Sequence, residues 1–73
     1  LNKAQHTAYS QIQRRTREIG GSVVGVYKNS ETKQVYTKVL MPSGKTNYFQ
    51  MFADGGFHSS FFAARNGTLK RIK

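Results

Sequence analysis

The sequence has few groups that could carry out covalent chemistry. Its 73 residues include no cysteine and only three acidic residues, Glu18, Glu31 and Asp54. Without thiols, a disulfide framework and a thiolate metal site are excluded. No two of the three carboxylates are spaced for acid–base catalysis. The sequence therefore predicts no catalytic residue, no enzyme and no cofactor.

The two histidines and the glycines do not supply a site either. His6 and His58 lack partner ligands at the spacing of a metal site. His58 precedes two serines, but adjacency in sequence does not create a nucleophile–base geometry. The pair Gly20-Gly21 lacks the Lys-Ser/Thr of a nucleotide-binding loop. We therefore predict that the protein binds no metal.

Long hydrophobic runs are absent as well. No apolar stretch approaches the roughly 20 residues of a transmembrane helix, and no secretory signal is visible. The 37% hydrophobic content suits one small core, so residues 1–73 are predicted to form a single domain. The first residue is Leu1, which suggests a shortened or processed chain. We expect a cytoplasmic protein without membrane contact, with virion association or delivery into a host cell as alternatives.

Positive charge is what the sequence has in excess. Twelve lysines and arginines stand against three acids, giving a net charge of +9 and a pI of about 10.4. Such an excess attracts polyanions through counterion release and long-range steering. We therefore predict a nucleic-acid partner, DNA rather than RNA. The alternative is that the charge serves solubility alone.

Residues 2–19 are predicted to form a helix. Asn2 is a favourable N-cap, and Gln5 follows three residues later as its capping-box partner. Gly20-Gly21 would end the helix with a left-handed residue. Apolar residues recur with the helical period on one side. This stripe consists of Leu1, Ala4, Ala8, Ile12 and Ile19.

Residues 34–52 are predicted to form a β-hairpin. The run Met41-Pro42-Ser43-Gly44 has proline and glycine where a type I turn with a bulge favours them. If Met41 pairs with Lys45, alternate residues face opposite sides of the hairpin. The predicted core side carries Val35, Thr37, Val39, Met41, Asn47, Phe49 and Met51. The other side carries Tyr36, Lys38, Leu40, Thr46, Tyr48 and Gln50.

The remaining segments complete an α+β prediction. Residues 22–28 indicate a strand in which Gly25 marks a bulge or a close backbone approach, and residues 29–33 indicate a polar turn. For residues 57–65 we prefer a short helix that ends at Asn66-Gly67 and is followed by a basic tail. The alternative is a hairpin at Asn66-Gly67 that pairs residues 60–65 with 68–71. The predicted fold is an N-terminal helix, a three-stranded antiparallel meander sheet, and a short C-terminal helix or extra hairpin.

One side of the predicted sheet combines aromatic and basic residues. Tyr36 and Tyr48 flank Lys38, with Gln50 beside them and Tyr27 on the neighbouring strand. Aromatic rings stack on bases and lysines neutralise phosphates. A β-ribbon can also enter a major groove. Alternatively, these residues stabilise the sheet across strands, or form half of the core beneath the helix.

Several short motifs resemble a known DNA-binding domain. They are Gly25-Val26, Val35-Tyr36 through Val39, Gly44-Lys45, residues 48–52 and an alanine-containing segment at residues 57–65. Their order is similar to that in the DNA-binding domain of plant ethylene-response factors and its relatives in phage homing endonucleases and integrase arm-binding domains. The resemblance covers about residues 24–65. It implies a three-stranded sheet that packs on one helix and lies in the major groove.

The sequence departs from that family on the sheet itself. Val35-Tyr36 replaces the family's tryptophan, and lysines replace its usual arginines at Lys28, Lys38 and Lys45. The resemblance therefore implies binding roles only for Tyr36, Lys38 and Tyr48.

The predicted nucleic-acid contacts fall in three groups. The sheet contributes Tyr27, Lys28, Tyr36, Lys38, Lys45 and Tyr48. The end of the helix contributes Arg14, Arg15 and Arg17, which alternatively only complement the helix dipole. A C-terminal basic patch contributes Arg65, Lys70 and Arg71, which alternatively form a solvated end.

A second functional hypothesis is a protein-binding role. The chain would be a small inhibitor or accessory factor, of phage origin in one version, that binds a host enzyme acting on nucleic acid. Its contact surface would be an exposed cluster of Phe57, Phe61 and Phe62.

Overall fold

The described part of the chain contains one helix and five antiparallel strands. The computed structural model describes residues 1–60 and 68–73. In chain order the elements are α1 (Lys3–Glu18), β1 (Ser22–Asn29), β2 (Val35–Leu40), β3 (Thr46–Met51), β4 (Phe57–Ser60) and β5 (Leu69–Arg71). The strand order across the sheet is β4-β3-β2-β1-β5. This confirms an α+β fold with an N-terminal helix and an antiparallel sheet, although the sheet is wider than the predicted three strands.

Helix α1 begins and ends at the predicted capping residues. The Asn2 side chain accepts a hydrogen bond from the Gln5 backbone at 2.8 Å, and the Gln5 side chain accepts one from the Asn2 backbone at 3.1 Å. At the other end Gly20 has a φ of 87°. The Gly21 amide donates to the Thr16 carbonyl at 2.8 Å, which closes a Schellman motif. The helix is therefore capped at both ends.

The β2–β3 hairpin has the predicted register. The Met41 amide donates to the Lys45 carbonyl at 2.8 Å, and Lys38 lies directly opposite Tyr48. Val39 and Met51 on the predicted core side are buried. The two predicted sides of the hairpin are thus confirmed, because one register fixes the direction of every side chain.

The core lies between α1 and one side of the sheet. Ala8 and Ile12 of the helix pack with Val26, Val39 and Met51 of the three central strands. The ends of the predicted apolar stripe do not join this core. Leu1 is 37% exposed and Ile19 is 56% exposed, because the first lies outside the helix and the second caps its end.

The prediction that Gly25 marks a bulge is confirmed. Val23 pairs with Val39, but the next pair joins Gly25 to Lys38, so β1 contains one extra residue. The bulge lets Val23 and Val26 both lie against the core. Without it, strict alternation would place them on opposite sides of the sheet.

The prediction of a helix from residue 57 is wrong in the described residues. Phe57–Ser60 forms β4 and pairs with β3. Gly55, with a φ of 93°, helps close a second tight turn, in which the Phe52 amide donates to the Gly56 carbonyl at 2.8 Å. This turn returns the chain along β3, where backbone pairing overrides the helical preference of the sequence. The rest of the predicted helix, residues 61–66, lies outside the described residues.

The C-terminal residues form a strand instead of the predicted basic tail. Leu69–Arg71 pairs with Tyr27, Lys28 and Asn29 of β1, because that side of β1 would otherwise have unpaired backbone groups. In the alternative hairpin prediction, residues 68–71 were to pair with 60–65. Ser60 instead pairs with Tyr48, and residues 61–65 lie outside the described residues.

Candidate nucleic-acid interface

The tyrosines and α1 lie on opposite faces of the sheet. Helix α1 contacts the face that carries Val26, Val39 and Met51. The register brings together on the other face a group that we call the tyrosine face. Its members are Tyr27, Tyr36, Lys38, Tyr48, Gln50 and Arg71. No helix or strand of residues 1–60 and 68–73 packs across it, so α1 does not turn this face into a second half-core.

Lys38 is the centre of the tyrosine face. Its Nζ lies 6.0 Å from the Tyr27 ring centroid and 5.6 Å from that of Tyr48. The two rings lie on either side of β2, 6.4 Å apart between centroids and at 77° to one another. These distances lie at the outer limit of a cation–π contact. All three side chains are half-buried, so one cation and two aromatic rings are presented together.

Tyr36 lies on the same face and contacts the Tyr48 ring. It is only 4% exposed, and its ring meets the Tyr48 ring edge-on at 6.4 Å. Its hydroxyl donates to Oε1 of Gln34 at 2.8 Å, and burial raises the pKa of that hydroxyl. Little of its ring is left for a base to stack on. Tyr36 therefore positions Tyr48, although the sequence indicated a direct contact.

Arg71 is held at the β5 side of the face. Its Nε donates to the Lys73 carbonyl and its Nη2 to the Val24 carbonyl, both at 3.2 Å. The guanidinium lies over Gly25, where an added Cβ would come within 3.0 Å of Nε. Besides lying at the bulge, Gly25 leaves room for the Arg71 side chain and the Lys73 carbonyl, whose oxygen would lie 3.1 Å from an added Cβ. Because of the two hydrogen bonds, the second cation of the face has a fixed position.

Five of the twelve residues predicted to contact nucleic acid lie together on the tyrosine face. They are Tyr27, Tyr36, Lys38, Tyr48 and Arg71. Lys28 and Lys70 lie directly opposite one another across β1 and β5, but on the face that packs on α1. Lys45 lies at the tip of the β2–β3 hairpin, opposite Met41. Alternation along the strands separates these three lysines from the tyrosines.

The arginines of α1 also lie away from the tyrosine face. Arg14 and Arg17 line a shallow groove on the exposed side of the helix. Arg15 lies over the Phe57 ring, 5.5 Å from its centroid. Arg65 lies outside the described residues. The three helix arginines therefore do not form one site with Lys38.

Two aromatic residues extend the face in a way that sequence reasoning missed. His58 lies opposite Gln50 in the register, and its ring meets the Phe52 ring edge-on at 5.5 Å. Phe52 is 37% exposed. If residues 57–60 had been assigned to a strand, alternation would have placed His58 on the tyrosine face. The helical spacing of the phenylalanines favoured a helix instead.

The surroundings of the face are electropositive. None of the three carboxylates lies in a strand: Glu18 ends α1, Glu31 lies in the β1–β2 turn, and Asp54 accepts a hydrogen bond from the Gly56 amide. Within the described residues, no group of three or more potential ligands could hold a metal ion. In that same part of the chain, no helix is long and apolar enough to span a membrane.

The chain was compared with protein-family models, curated proteins and solved structures, and none of the three comparisons gives a match.

Proposed function

We propose that this protein is a small nucleic-acid-binding module that contacts phosphates and bases through the tyrosine face. The observation that carries the proposal is the position of the Lys38 ammonium between the rings of Tyr27 and Tyr48, on the face away from α1. An ammonium neutralises a phosphate, and adjacent rings stack on bases. A single nucleotide could therefore place its phosphate at the Lys38 ammonium and its base against one of the two rings.

The charge balance supports a polyanionic ligand. The twelve lysines and arginines outnumber the three acidic side chains by nine. Binding a polyanion would reduce the repulsion between these cations and release counterions.

The width of the sheet favours a single strand over a duplex as the ligand. Five strands at a spacing of about 4.8 Å span roughly 19 Å between the outer strands. The major groove of B-DNA is only about 12 Å wide, which suits two or three strands. We therefore propose that a single-stranded segment crosses β1, β2 and β3 at Lys38. Groove entry, which the family resemblance implies, is the competing geometry.

Fluorescence anisotropy with labelled single-stranded and duplex oligonucleotides tests this proposal. Affinity should fall steeply between about 50 and 200 mM salt, because phosphate contacts release counterions. Lys38→Gln should weaken binding and reduce the salt slope by about 0.7 on a single strand. Tyr48→Leu should cost about 1–3 kcal/mol on a single strand and less on a duplex.

Lys3→Gln is the matched control, because it removes the same charge from the first turn of α1, away from the tyrosine face. Affinity that does not change with salt would contradict the proposal. An equal loss of affinity in Lys3→Gln and Lys38→Gln would show that the binding surface is not the tyrosine face.

An apolar groove supports a second candidate function, the binding of a protein. The groove, of about 240 Å³, lies between α1 and the β3–β4 side of the sheet. Its apolar lining consists of Ile12, Ile19, Met41, Phe49 and Phe57. An inhibitor or accessory factor would use such a groove to anchor a partner's side chain. A pull-down with purified nucleic-acid-processing enzymes after nuclease treatment tests this role, and Ile19→Ser should abolish a specific capture.

A further inference from the structure

Three lysines line one groove at the β1–β5 side of the sheet. Lys28, Lys33 and Lys70 surround a volume of about 220 Å³ together with Asn29, Ser30 and Ile72. We call this the lysine groove. Lys28 and Lys70 are direct cross-strand neighbours, and such pairs have Cβ atoms about 5 Å apart. Lys70 is next to Arg71 in β5, so the two side chains point to opposite faces of the sheet.

This arrangement lowers the stability of the protein when no ligand is bound. Like charges directly opposite one another in a sheet are destabilising. Lys33 has a φ of 63°, in the left-handed region where glycine and asparagine are favoured over lysine. Among the described residues, no carboxylate lines the groove. The sequence thus places several cations where they repel one another, one of them on a strained backbone.

Protection of a sheet edge does not account for all three lysines. Lysine on an outer strand discourages pairing with another chain, which would explain Lys70. However, Lys28 lies in β1, which is paired on both sides by β2 and β5. Lys33 lies after the turn, outside the strands. A shared anionic ligand explains all three positions at once, because it converts the repulsion into attraction.

We propose that the lysine groove is an anion site that takes a phosphate group, either free or within a nucleic-acid backbone. Three ammonium groups supply charge-assisted hydrogen bonds to phosphate oxygens. The turn that precedes Lys33 is fixed by the buried Asn29, whose Oδ1 accepts from the Glu31 and Thr32 amides at 2.9 and 3.1 Å. If the phosphate belongs to a polymer, the inference rests on the proposed function, and the strand passes around β5 from Arg71 to Lys70. A free phosphate requires no such path.

The test is an NMR titration of backbone amides with inorganic phosphate, with pyrophosphate, and then with a single-stranded oligonucleotide. Wild-type protein should show saturable shifts at Lys28, Lys33 and Lys70 with the first two. Lys33→Gly and Lys70→Gln should each weaken pyrophosphate binding by about tenfold, since each removes one charge-assisted contact. Lys45→Gln removes the same charge at the far end of the sheet and should change this affinity less than about twofold.

Lys33→Gly also separates binding from structure. Glycine relieves the positive φ, so this variant should unfold at a higher urea concentration while it binds pyrophosphate more weakly. A residue with only a structural role would not show opposite effects on stability and binding.

The outcomes distinguish this inference from the proposed function. A phosphate titration that does not saturate, or an equal loss of phosphate affinity in Lys45→Gln and Lys33→Gly, would overturn the proposal of an anion site in the lysine groove. Oligonucleotide shifts at Tyr27 and Tyr48 would in that case still support the tyrosine face. Saturable pyrophosphate binding without any oligonucleotide shift at Tyr27 would support the groove as a site for free anions.

Discussion

Replacing Gly25 by alanine tests how the fold holds Arg71 on the tyrosine face. The new Cβ would lie 3.0 Å from Nε of Arg71, 3.3 Å from its Cζ and 3.1 Å from the Lys73 carbonyl oxygen. The guanidinium would have to move away from the carbonyl groups of Val24 and Lys73. Two exposed hydrogen bonds of this kind contribute about 1–2 kcal/mol together.

The same substitution has an opposing, favourable effect. The φ of Gly25 is not positive, so alanine is compatible with the backbone there and should gain about 0.4–1 kcal/mol from the smaller entropy of its unfolded chain. The net destabilisation of Gly25→Ala should then be about 0–1.6 kcal/mol. In an Arg71→Ala background the displaced group is gone. There Gly25→Ala should keep its gain of about 0.4–1 kcal/mol, reduced by the 3.1 Å contact of the new Cβ with the Lys73 carbonyl oxygen, which is present in both backgrounds.

A double-mutant cycle measures this coupling directly. The four proteins are unfolded in urea and followed by far-ultraviolet circular dichroism, and the free energies of unfolding are compared. A coupling of about 1–2 kcal/mol between Gly25 and Arg71 is expected. If Gly25→Ala costs the same in both backgrounds, Arg71 is not what occupies the space above Gly25. A Gly25→Ala protein should also bind oligonucleotides more weakly than wild type if the fixed Arg71 contacts them.

Three further predictions concern stability. Ile12→Ala should cost about 2–5 kcal/mol in urea unfolding, because Ile12 is 2% exposed at the centre of the helix–sheet core. Asn2→Ala should cost about 1 kcal/mol in thermal unfolding, since it leaves the Gln5 amide without its cap, while Asn2→Ser should retain most of that stability. Burial raises the pKa of Tyr36, so the stability from its neutral form is complete below about pH 10 and is lost as the pH rises through the folded-state pKa. Tyr36→Phe removes the hydrogen bond from the Tyr36 hydroxyl to Gln34, so the variant should be less stable than wild type at pH 7 by about 0.5–1.5 kcal/mol. A difference that did not shrink above pH 10 would contradict this assignment.

The elements set by local chemistry were predictable from the sequence. Three such signals determine structure only a few residues away along the chain. They are the capping box at Asn2, the glycines after α1 and the Pro-Gly turn at residues 41–44. The register of the hairpin then follows from the turn. This register places Lys38 on the tyrosine face and Val39 on the core face. The central part of the tyrosine face is therefore predictable from the sequence of the hairpin alone.

The outer strands depend on contacts that are distant in sequence. Residues 57–60 have helical spacing of apolar side chains, but β3 offers unpaired backbone groups that decide in favour of a strand. Likewise, β5 is only three residues long and forms by pairing with β1, some 40 residues earlier in the chain. Arg71 joins the tyrosine face for this reason, because its side of the sheet depends on its pairing with Tyr27. Lys28 lies on the other face because it directly follows Tyr27 in β1, which alternation along the strand alone decides.

The short connection between α1 and β1 limits how the molecule can respond to a ligand. At Gly21 an added Cβ would come within 2.6 Å of the Leu40 carbonyl oxygen and within 2.9 Å of Cγ2 of Thr16, so the chain here is wedged between the helix and β2. The helix has no hinge at this junction about which it could swing away from the sheet. Any movement of α1 relative to the sheet would therefore have to break the packing of the chain at Gly21.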